Sequence, residues 1–462
     1  MKKYTSLFLL LVTILSWSQT DFTTNWEDFY SYNNVKDFIK VDSKIYAVTD
    51  NAVFIYDVAT QEVKKLSSVQ GLSGKTATSI YFSETFQKLV IGYRTGLLEI
   101  IDTDGKITIA NDVERLTITG EKEIRHIIEY NNKLYLSTSF AIVVYDIENS
   151  QYGDTYFIGN NSTSVKINQI AVFNDIIYAA TETGIFTADV HAQNLIDFNN
   201  WRQPQGDFLG NFKTIEVFNN QLFTSKNNNF YRVNSIITLQ SITSLPDNIL
   251  NLKASDNFLT VTTRKSAYVY NTLINQEVIT ATTPEYDYNL QSSYAENNTI
   301  YLGTSEYGIL QRSFSNALDH FEIHPQGPTS NDIFSITAEN DNLWVVYGGY
   351  NGAFTPLNQN LGFSHFNGEY WINTSYNSAF PARDLAHITV DPENPEKVYI
   401  SSWNDGILQR SFSNAVDHFE IHPQGPTSND IFSITAENDN LWVVYGGYNG
   451  AFTPLNQNLG FS

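Results

Sequence analysis

The densest group of candidate metal ligands is Asp319-His320-Phe321-Glu322-Ile323-His324, which recurs at Asp417–His422. If the segment is a strand, His320, Glu322 and His324 project from one face, because alternate residues share a face. Neighbours on that face are ~6.6 Å apart along a strand, whereas zinc ligand atoms lie about 2 Å from the ion. We therefore predict a solvated strand face at this segment and no metal site.

Motifs for covalent or phosphate chemistry are missing. The chain has no cysteine, which excludes thiol nucleophiles and thiolate metal sites. Gly71-Leu72-Ser73-Gly74-Lys75 lacks the glycine spacing of a nucleophile elbow. Asp102-Thr103-Asp104-Gly105 begins like a calcium loop but lacks the later ligands, so a hairpin turn is favoured. We predict no catalytic residue, no metal and no cofactor.

Some aromatic and amide residues of predicted loops suit sugar binding, by ring stacking and hydrogen bonding. They are Trp201, Trp371, Tyr350 and Asn351. The competing interpretation is that each aromatic ring packs between sheets. A site assembled from loops of several repeats leaves no local motif, so the ligand-binding residues stay unknown at this level.

A phrase that recurs about every 43 residues must position these side chains. Each copy has a polar turn, a short apolar strand with a central aromatic or its equivalent, a second turn and a second apolar strand. The central residue falls at Tyr46, Val90, Tyr135, Tyr178, Phe223, Thr260, Tyr301, Trp344, Tyr399 and Trp442. A repeat of roughly 40–45 residues with four short strands is typical of a β-propeller blade. We therefore predict an all-β fold, with a seven-bladed β-propeller over residues 19–320 and part of a second β-propeller over residues 321–462.

The second repeat predicts all four strands of one blade. They are Ser79–Phe82, Lys88–Tyr93, Leu97–Ile101 and Lys106–Ala110. The two middle strands are almost continuously apolar, which favours sheets that are buried on both faces. The widest interval between central residues, 55 residues from Trp344 to Tyr399, predicts an enlarged loop around Gly348–Gly352 and Pro356.

Two stretches of the chain are nearly the same. Residues 308–364 and 406–462 differ only at Leu318 against Val416, whereas the other repeats share only a pattern. The second stretch is therefore either a recent duplication or an error of sequence assembly. Its predicted strands keep the same positions within the repeat. We expect the natural sequence to differ after about Leu408. A PCR product across residues 300–462 with a single copy would establish the error.

The N-terminus has the features of a secretory signal peptide. Lys2 and Lys3 precede the apolar run Leu7–Leu15, and small residues allow cleavage after Ser18. We predict a signal peptide over residues 1–18 and an exported protein. The run is about half the length that spans a bilayer, and no later segment is long and apolar enough to do so.

Composition narrows the classes of partner. The net charge of −22 argues against binding to nucleic acid or to anionic membrane surfaces, because both partners require a basic protein surface. Aromatic residues make up 14% and apolar residues 42%, as in globular β proteins. Since no disulfide is possible, stability must come from packing.

Several phrases resemble a known family. Gln70-Gly71-Leu72-Ser73, followed by Lys88–Asp102, is similar to the propeller repeats of Bacteroidetes sensor proteins. Trp26–Val53, His324–Gly349 and His387–Leu408 more specifically resemble PorZ-like components of the type IX secretion system. The resemblance covers the chain up to about Leu408.

The resemblance implies a non-enzymatic scaffold at the cell surface, associated with the outer membrane. Its fold would be two β-propellers and a C-terminal β-sandwich, of which the sandwich and most of the second propeller are not matched. Its partners would be a sortase-like protease, an outer-membrane barrel and anionic lipopolysaccharide, which it would present to the sortase. An anionic glycan needs a local basic patch, a bridging cation or contacts to neutral sugars, yet Lys and Arg are thinly scattered.

Two other functions remain open. The first is a periplasmic ligand-sensing propeller of a hybrid two-component regulator, which a kinase encoded beyond residue 462 would support. The second is a propeller glycosidase or lyase, because a carboxylate pair could exist among the 49 acidic residues without a recognisable motif.

Overall fold

The computed structural model describes residues 26–235, 237–316, 318–339, 341–353, 355–377, 382–403, 405–411, 418–420, 426, 428–438 and 440–446. The regular structure is almost entirely strand, so the all-β prediction is confirmed. The helices are the α-helix Asp112–Arg115 and four 3-10 turns, at Ser68–Gln70, Asn160–Ser162, Phe198–Asn200 and Gly206–Phe208. None of the described helices is long and apolar enough to cross a membrane. The predicted signal peptide lies outside the described residues.

The described strands form ten sheets, which we number in chain order. Sheets 1 to 4 are β1 (Asp37–Val41), β2 (Lys44–Val48), β3 (Val53–Asp57) and β4 (Val63–Leu66); β5 (Ala77–Ser83), β6 (Lys88–Tyr93), β7 (Leu98–Ile101) and β8 (Ile107–Ala110); β9 (Ile124–Tyr130), β10 (Lys133–Thr138), β11 (Ile142–Asp146) and β12 (Gln151–Tyr156); and β13 (Ile167–Phe173), β14 (Ile176–Thr181) and β15 (Ile185–Asp189).

Sheets 5 to 7 follow the same four-stranded plan. They are β16 (Thr214–Phe218), β17 (Gln221–Lys226), β18 (Asn229–Ser235) and β19 (Thr238–Ser244); β20 (Ile249–Ala254), β21 (Phe258–Thr263), β22 (Ala267–Asn271) and β23 (Gln276–Ile279); and β24 (Leu290–Glu296), β25 (Thr299–Thr304), β26 (Ile309–Ser313) and β27 (Phe321–Ile323).

Sheets 8 to 10 complete the described structure. They are β28 (Ser335–Glu339), β29 (Asn342–Val346), β30 (Phe363–Phe366) and β31 (Trp371–Thr374); β32 (Leu385–Asp391), β33 (Asn394–Ser402), β34 (Gly406–Ser411) and β35 (His418–Glu420); and β36 (Ile431–Glu437) with β37 (Asn440–Tyr445).

Every sheet is a meander in which each strand pairs antiparallel with the next. The strands predicted for the second repeat are confirmed as β5 to β8, and β6 has the predicted bounds. All ten central residues of the sequence phrase lie in the second strand of a sheet. The phrase therefore identifies the second and third strands of each repeat.

Asparagine makes the tight turns between first and second strands in four sheets. Both turn residues have positive φ, between 45° and 61°, at Asn131-Asn132, Asn174-Asp175, Asn219-Asn220 and Asn297-Asn298. A two-residue turn with φ positive at both positions has the right-handed twist of the strands it joins. Asparagine tolerates this conformation better than other residues with a side chain, which explains the polar start of the sequence phrase.

We expect Asn132→Val to lower the free energy of unfolding by about 1–2 kcal/mol, because a β-branched residue is strained at the φ of 61°. Asn132→Gly should leave stability unchanged or raise it slightly, since glycine adopts this φ freely. Urea unfolding of both variants measures the difference. Equal stability of the two variants would contradict the account of the turn.

The hydrophobic cores lie between consecutive sheets. One core joins Tyr46 and Val48 of sheet 1 to Leu89 and Ile91 of sheet 2, and the rings of Tyr46 and Phe82 stack at 5.5 Å. The same arrangement joins sheets 2 and 3, 3 and 4, 4 and 5, 5 and 6, and 6 and 7. The middle strands are apolar on both faces because each sheet packs against two neighbours.

The chain divides into two compact units. Unit 1 contains the described residues 26–28 and 34–324 and holds sheets 1 to 7. Its first strands β1, β5, β9, β13, β16, β20 and β24 contact one another in succession, and β24 also contacts β1. The Val35 N–H donates to the Thr304 carbonyl at 2.9 Å, which further joins the beginning of unit 1 to its last sheet. The first strands thus surround a central channel.

Unit 2 takes a segment from the start of the chain, Phe29–Asn33, in addition to residues 325 onward. The Ser31 N–H donates to Asn331 Oδ1 at 2.8 Å, and Asn331 Nδ2 donates to the Ser31 carbonyl at 3.2 Å. Asn33 Nδ2 and Ser31 Oγ both donate to the carbonyl of Thr329. The segment is therefore an integral part of unit 2.

The enlarged loop predicted in unit 2 is confirmed between β29 and β30. The Asp384 carboxylate, 2% exposed, accepts hydrogen bonds from the backbone N–H groups of Asn358 at 2.9 Å and Gln359 at 2.8 Å. A buried carboxylate that holds two backbone donors fixes the loop in one conformation.

Candidate functional site

The channel of unit 1 is a cavity of about 510 Å³ whose wall contains residues from all seven first strands. Half of the wall residues are aliphatic, and a polar cluster lies among them. We call it the channel cluster and define it as Asp37, His126, Gln169, Glu216, Asn251 and Lys253. The cavity size is within the range of ~300–1,000 Å³ that small-molecule sites occupy.

Gln169 links three sheets within the channel cluster. Its Oε1 accepts the Ile215 N–H at 3.1 Å, so its Nε2 is the donor to Glu216 Oε2 at 3.2 Å and to His126 Nε2 at 3.4 Å. Gln169 is only 6% exposed, so these bonds define its orientation. Because His126 Nε2 accepts, the neutral imidazole carries its proton on Nδ1.

Burial keeps two members of the cluster uncharged near pH 7. It raises the pKa of Glu216 to about 8, against smaller opposing effects of the Lys253 charge and of the hydrogen bond from Gln169. Burial lowers the pKa of His126 to about 4, and Asp37 offsets only part of this. Glu216 is therefore a carboxylic acid and His126 a neutral ring under physiological conditions.

The other charges of the cluster cancel. Lys253 Nζ of sheet 6 lies 2.5 Å from Asp37 Oδ1 of sheet 1, and it also donates to the Phe38 carbonyl. The same ammonium lies over the Phe38 ring, 4.8 Å from its centroid. The channel cluster is thus polar without net charge.

Cations stand at the starts of the first strands. Arg125 is the second residue of β9, beside His126, and Lys213 directly precedes β16. Burial of its amino group lowers the pKa of Lys213, and repulsion from Arg125 lowers it further, so the two cations are close. Glu123 pairs with Arg125, while no described residue forms a hydrogen bond with Arg125 Nε. Two cations thus lie close together near the starts of β9 and β16, outside the residues that form the channel wall.

A second cavity of about 530 Å³ lies at the ends of the first strands of sheets 1 to 3. It shares Tyr81, Glu129, Tyr130 and Lys40 with the channel wall. Lys40 pairs with Glu296 of sheet 7. Burial raises the pKa of Tyr81 to about 12, so its phenol stays protonated. This end of the channel therefore presents aromatic rings and paired charges.

The candidate metal ligands His320, Glu322 and His324 do not converge on one point. The ring of His320 packs against those of Tyr286 at 4.9 Å and Tyr288 at 6.4 Å. Glu322 Oε2 lies 3.3 Å from His324 Nε2, and this contact lowers the pKa of Glu322. Among the described residues no group of three acidic or histidine side chains could hold a metal. The side chains of the second copy, Asp417–His422, lie outside the described residues.

The aromatic residues proposed for sugar stacking have packing roles. Trp201 is 3% exposed and its Nε1–H donates to the Leu195 carbonyl at 2.9 Å. In unit 2, the ring of Tyr350 contacts that of Trp403 at 4.6 Å, and Trp371 packs against Phe29 at 5.6 Å. Asn351 Oδ1 accepts the backbone N–H of Ala353 at 2.8 Å, as in a turn.

Two motifs set aside in the sequence prove to be structural. Asp102 Oδ1 accepts the N–H groups of Asp104 at 3.1 Å and Lys106 at 2.9 Å, which confirms the hairpin turn. The Ser73 N–H and Oγ–H both donate to Glu99, at 2.8 and 2.7 Å. The glycine-rich segment thus forms part of the support for a buried carboxylate.

The channel cluster escaped the sequence analysis because its members come from five different repeats. A weak signal exists: Asp37, His126, Gln169 and Asn251 each lie nine residues before the central residue of their repeat. Glu216 breaks that spacing, and Lys253 lies seven residues before its central residue. This spacing indicates a single site only when the first strands are known to form a ring.

Comparisons with known proteins agree with the fold. Residues 45–202 match the sequence profile of the PorZ N-terminal β-propeller domain of the type IX secretion system. No curated protein is similar in sequence to the chain. The structure of PorZ from Porphyromonas gingivalis, described as an essential surface component of its type IX secretion system, aligns with a TM-score of 0.74 at 19% identity. The alignment covers 92% of this chain and 57% of PorZ.

Two further structures are more distantly similar. The CNH domain of AfRom2 aligns over 63% of this chain and 98% of its own length, with 13% identity and a TM-score of 0.45. The Cps50 (Swd1) β-propeller domain of Myceliophteria thermophila aligns over 62% and 99%, with 12% identity and a TM-score of 0.48. The resemblance to PorZ-like components that the sequence phrases indicated is confirmed by the profile and by the PorZ structure.

Proposed function

We propose that this chain is part of a PorZ-like, non-enzymatic scaffold of the type IX secretion attachment complex. The observation that carries the proposal is the profile match of residues 45–202, supported by the fold similarity to PorZ. On this proposal unit 1 is the first, seven-bladed propeller and unit 2 is part of the second. The protein is exported and acts at the cell surface, in association with the outer membrane.

The scaffold binds anionic lipopolysaccharide and presents it to a sortase-like partner beside an outer-membrane barrel. Arg125 and Lys213 support this part of the proposal, because they provide the local basic patch that an acidic chain needs to hold an anionic glycan. Two neighbouring cations, of which Arg125 is paired with Glu123, would be stabilised by a phosphate or carboxylate group.

We expect Arg125→Ala together with Lys213→Ala to weaken binding of anionic lipopolysaccharide about tenfold at low salt. Added salt should weaken binding by the natural chain, because it screens exposed charges. Surface plasmon resonance with purified anionic lipopolysaccharide measures both effects, and no turnover of the glycan should accompany binding.

Lys265→Ala is the matched control, since Lys265 is an exposed cation of unit 1 paired with Asp287 at 2.6 Å. Its binding should equal that of the natural chain. Equal binding by the double variant would place the glycan elsewhere. If the folded chain bound no anionic lipopolysaccharide, the proposed function itself would fail.

A further inference from the structure

The channel cluster has hydrogen-bonding groups that its own members do not satisfy. Within the described part of the chain, neither His126 Nδ1 nor Asn251 Oδ1 has a hydrogen-bond partner. Both residues are part of the channel wall, and His126 Nδ1 carries a proton because Nε2 accepts from Gln169. A buried polar group without a partner lowers stability substantially, so its presence in the channel wall favours a ligand that completes the bonding.

The charge of the cluster defines the chemistry of that ligand. Lys253 and Asp37 neutralise each other, and Glu216 and His126 are uncharged. A charged ligand at the channel cluster would therefore be transferred from water without an unpaired opposite charge within the cluster, which is unfavourable. A neutral molecule with several hydroxyl groups can instead accept from His126 and donate to Asn251.

Size and surroundings agree with this chemistry. The cavity of about 510 Å³ is large enough for a sugar ring. Ile127, Ile170 and Leu252 of its wall pack in the cores between sheets, so the polar side chains of the channel cluster supply the contacts to a ligand. The carboxyl group of Glu216 adds a further hydrogen-bonding group, whose orientation Gln169 fixes. Donors and acceptors that line one cavity are the features of a site for a small polar molecule.

We propose that the channel of unit 1 binds a small neutral polyhydroxylated molecule, such as a neutral sugar ring, at the channel cluster. The ligand contacts His126, Asn251 and Glu216 directly. Gln169 is a positioning residue that orients His126 and Glu216. The site is separate from the cations proposed to hold anionic glycan, and it does not depend on a role in secretion.

The proposal predicts a specific pH dependence. Ionisation of Glu216 places a negative charge in the channel and removes its carboxylic proton as a donor. Affinity should therefore be constant near neutral pH and fall as the pH rises through about 8. The charged or titratable groups near Glu216 are Lys253 of sheet 6, Asp37 of sheet 1, which pairs with Lys253, and His126 of sheet 3, which Gln169 links to Glu216.

Saturation-transfer NMR and calorimetry with glucose, mannose and N-acetylglucosamine test the proposal on the full chain. At least one of these neutral sugars should bind, and glucuronate and glucosamine should bind more weakly. Glu216→Ala and His126→Phe should each weaken binding about tenfold. Glu216→Gln keeps the size of the side chain and removes its titratable group, so the affinity of this variant should show no fall above pH 8.

His191→Ala is the control, because His191 is an exposed histidine of unit 1 with a side chain that is 70% accessible. Thermal melting of each variant establishes that it is folded. The proposal is overturned if no neutral sugar binds the folded natural chain, or if Glu216→Ala and His126→Phe bind as well as His191→Ala. Preference for glucuronate would overturn the assignment of a neutral ligand, and would leave the test of anionic lipopolysaccharide at Arg125 and Lys213 unaffected.

Discussion

Glu99→Ala should lower the free energy of unfolding of unit 1 by about 3 kcal/mol. The Glu99 side chain is fully buried and accepts hydrogen bonds from Ser73 and, at 2.5 Å, from the hydroxyl of Tyr93. Alanine would leave the buried Tyr93 hydroxyl without its acceptor and would create a cavity in sheet 2. Because Tyr93 and Leu72 belong to the core shared by sheets 1 and 2, the effect should reach both sheets. Denaturant unfolding measures the change.

Two further substitutions separate the hydrogen bonds from the cavity. Glu99→Gln keeps the volume and one carbonyl acceptor, so the loss should be about 1 kcal/mol. Tyr93→Phe removes the phenol whose pKa is raised by burial and by the Glu99 charge, and it should also lower stability less than Glu99→Ala. If Glu99→Ala proved as stable as the natural chain, the carboxylate would not support the glycine-rich segment.

Tyr32→Ala should lower the stability of unit 2 by about 3–5 kcal/mol, the usual effect of removing a fully buried aromatic ring. Tyr32 is 0% exposed and lies in the segment Phe29–Asn33, which belongs to unit 2 although its sequence neighbours belong to unit 1. The bonds between Ser31 and Asn331 should weaken with it. Hydrogen exchange should become faster in β28 to β34 and stay unchanged in the sheets of unit 1.

Trp26→Ala is the matched control for this prediction. Trp26 is a large aromatic residue of the same region but is 72% exposed, so its removal should change neither unit measurably. Faster exchange throughout unit 1 after Tyr32→Ala would contradict the assignment of the segment to unit 2. No change anywhere would show that the segment contributes nothing to stability.

Much of the fold follows from local sequence. The strands of the second repeat were predictable because Lys88–Tyr93 and its neighbours alternate with turn residues at the correct spacing. Asn131 and Asn132 mark a turn because few other residues adopt positive φ. These features depend on backbone sterics and on burial within one repeat, and both are properties of short stretches of chain.

The candidate site was not predictable in the same way. His126, Gln169, Glu216 and Lys253 belong to different repeats, and each alone is an ordinary polar residue in an apolar strand. The pKa of Glu216 is raised only because neighbouring sheets exclude water from its carboxyl group. Likewise, nothing in the sequence near Phe29 indicates that it packs against Phe366 and Trp371.

The amino-acid sequence by itself determined the repeat, its strands, its turns and the all-β class, because period, side-chain volume and preferred φ act over a few residues. Tertiary structure alone decided which repeats adjoin, which polar side chains meet in the channel and which unit takes the first segment. Those outcomes depend on contacts between residues up to 300 positions apart, such as Ser31 and Asn331. Burial and electrostatic interaction at such contacts depend on distance in space, which a single linear sequence does not specify.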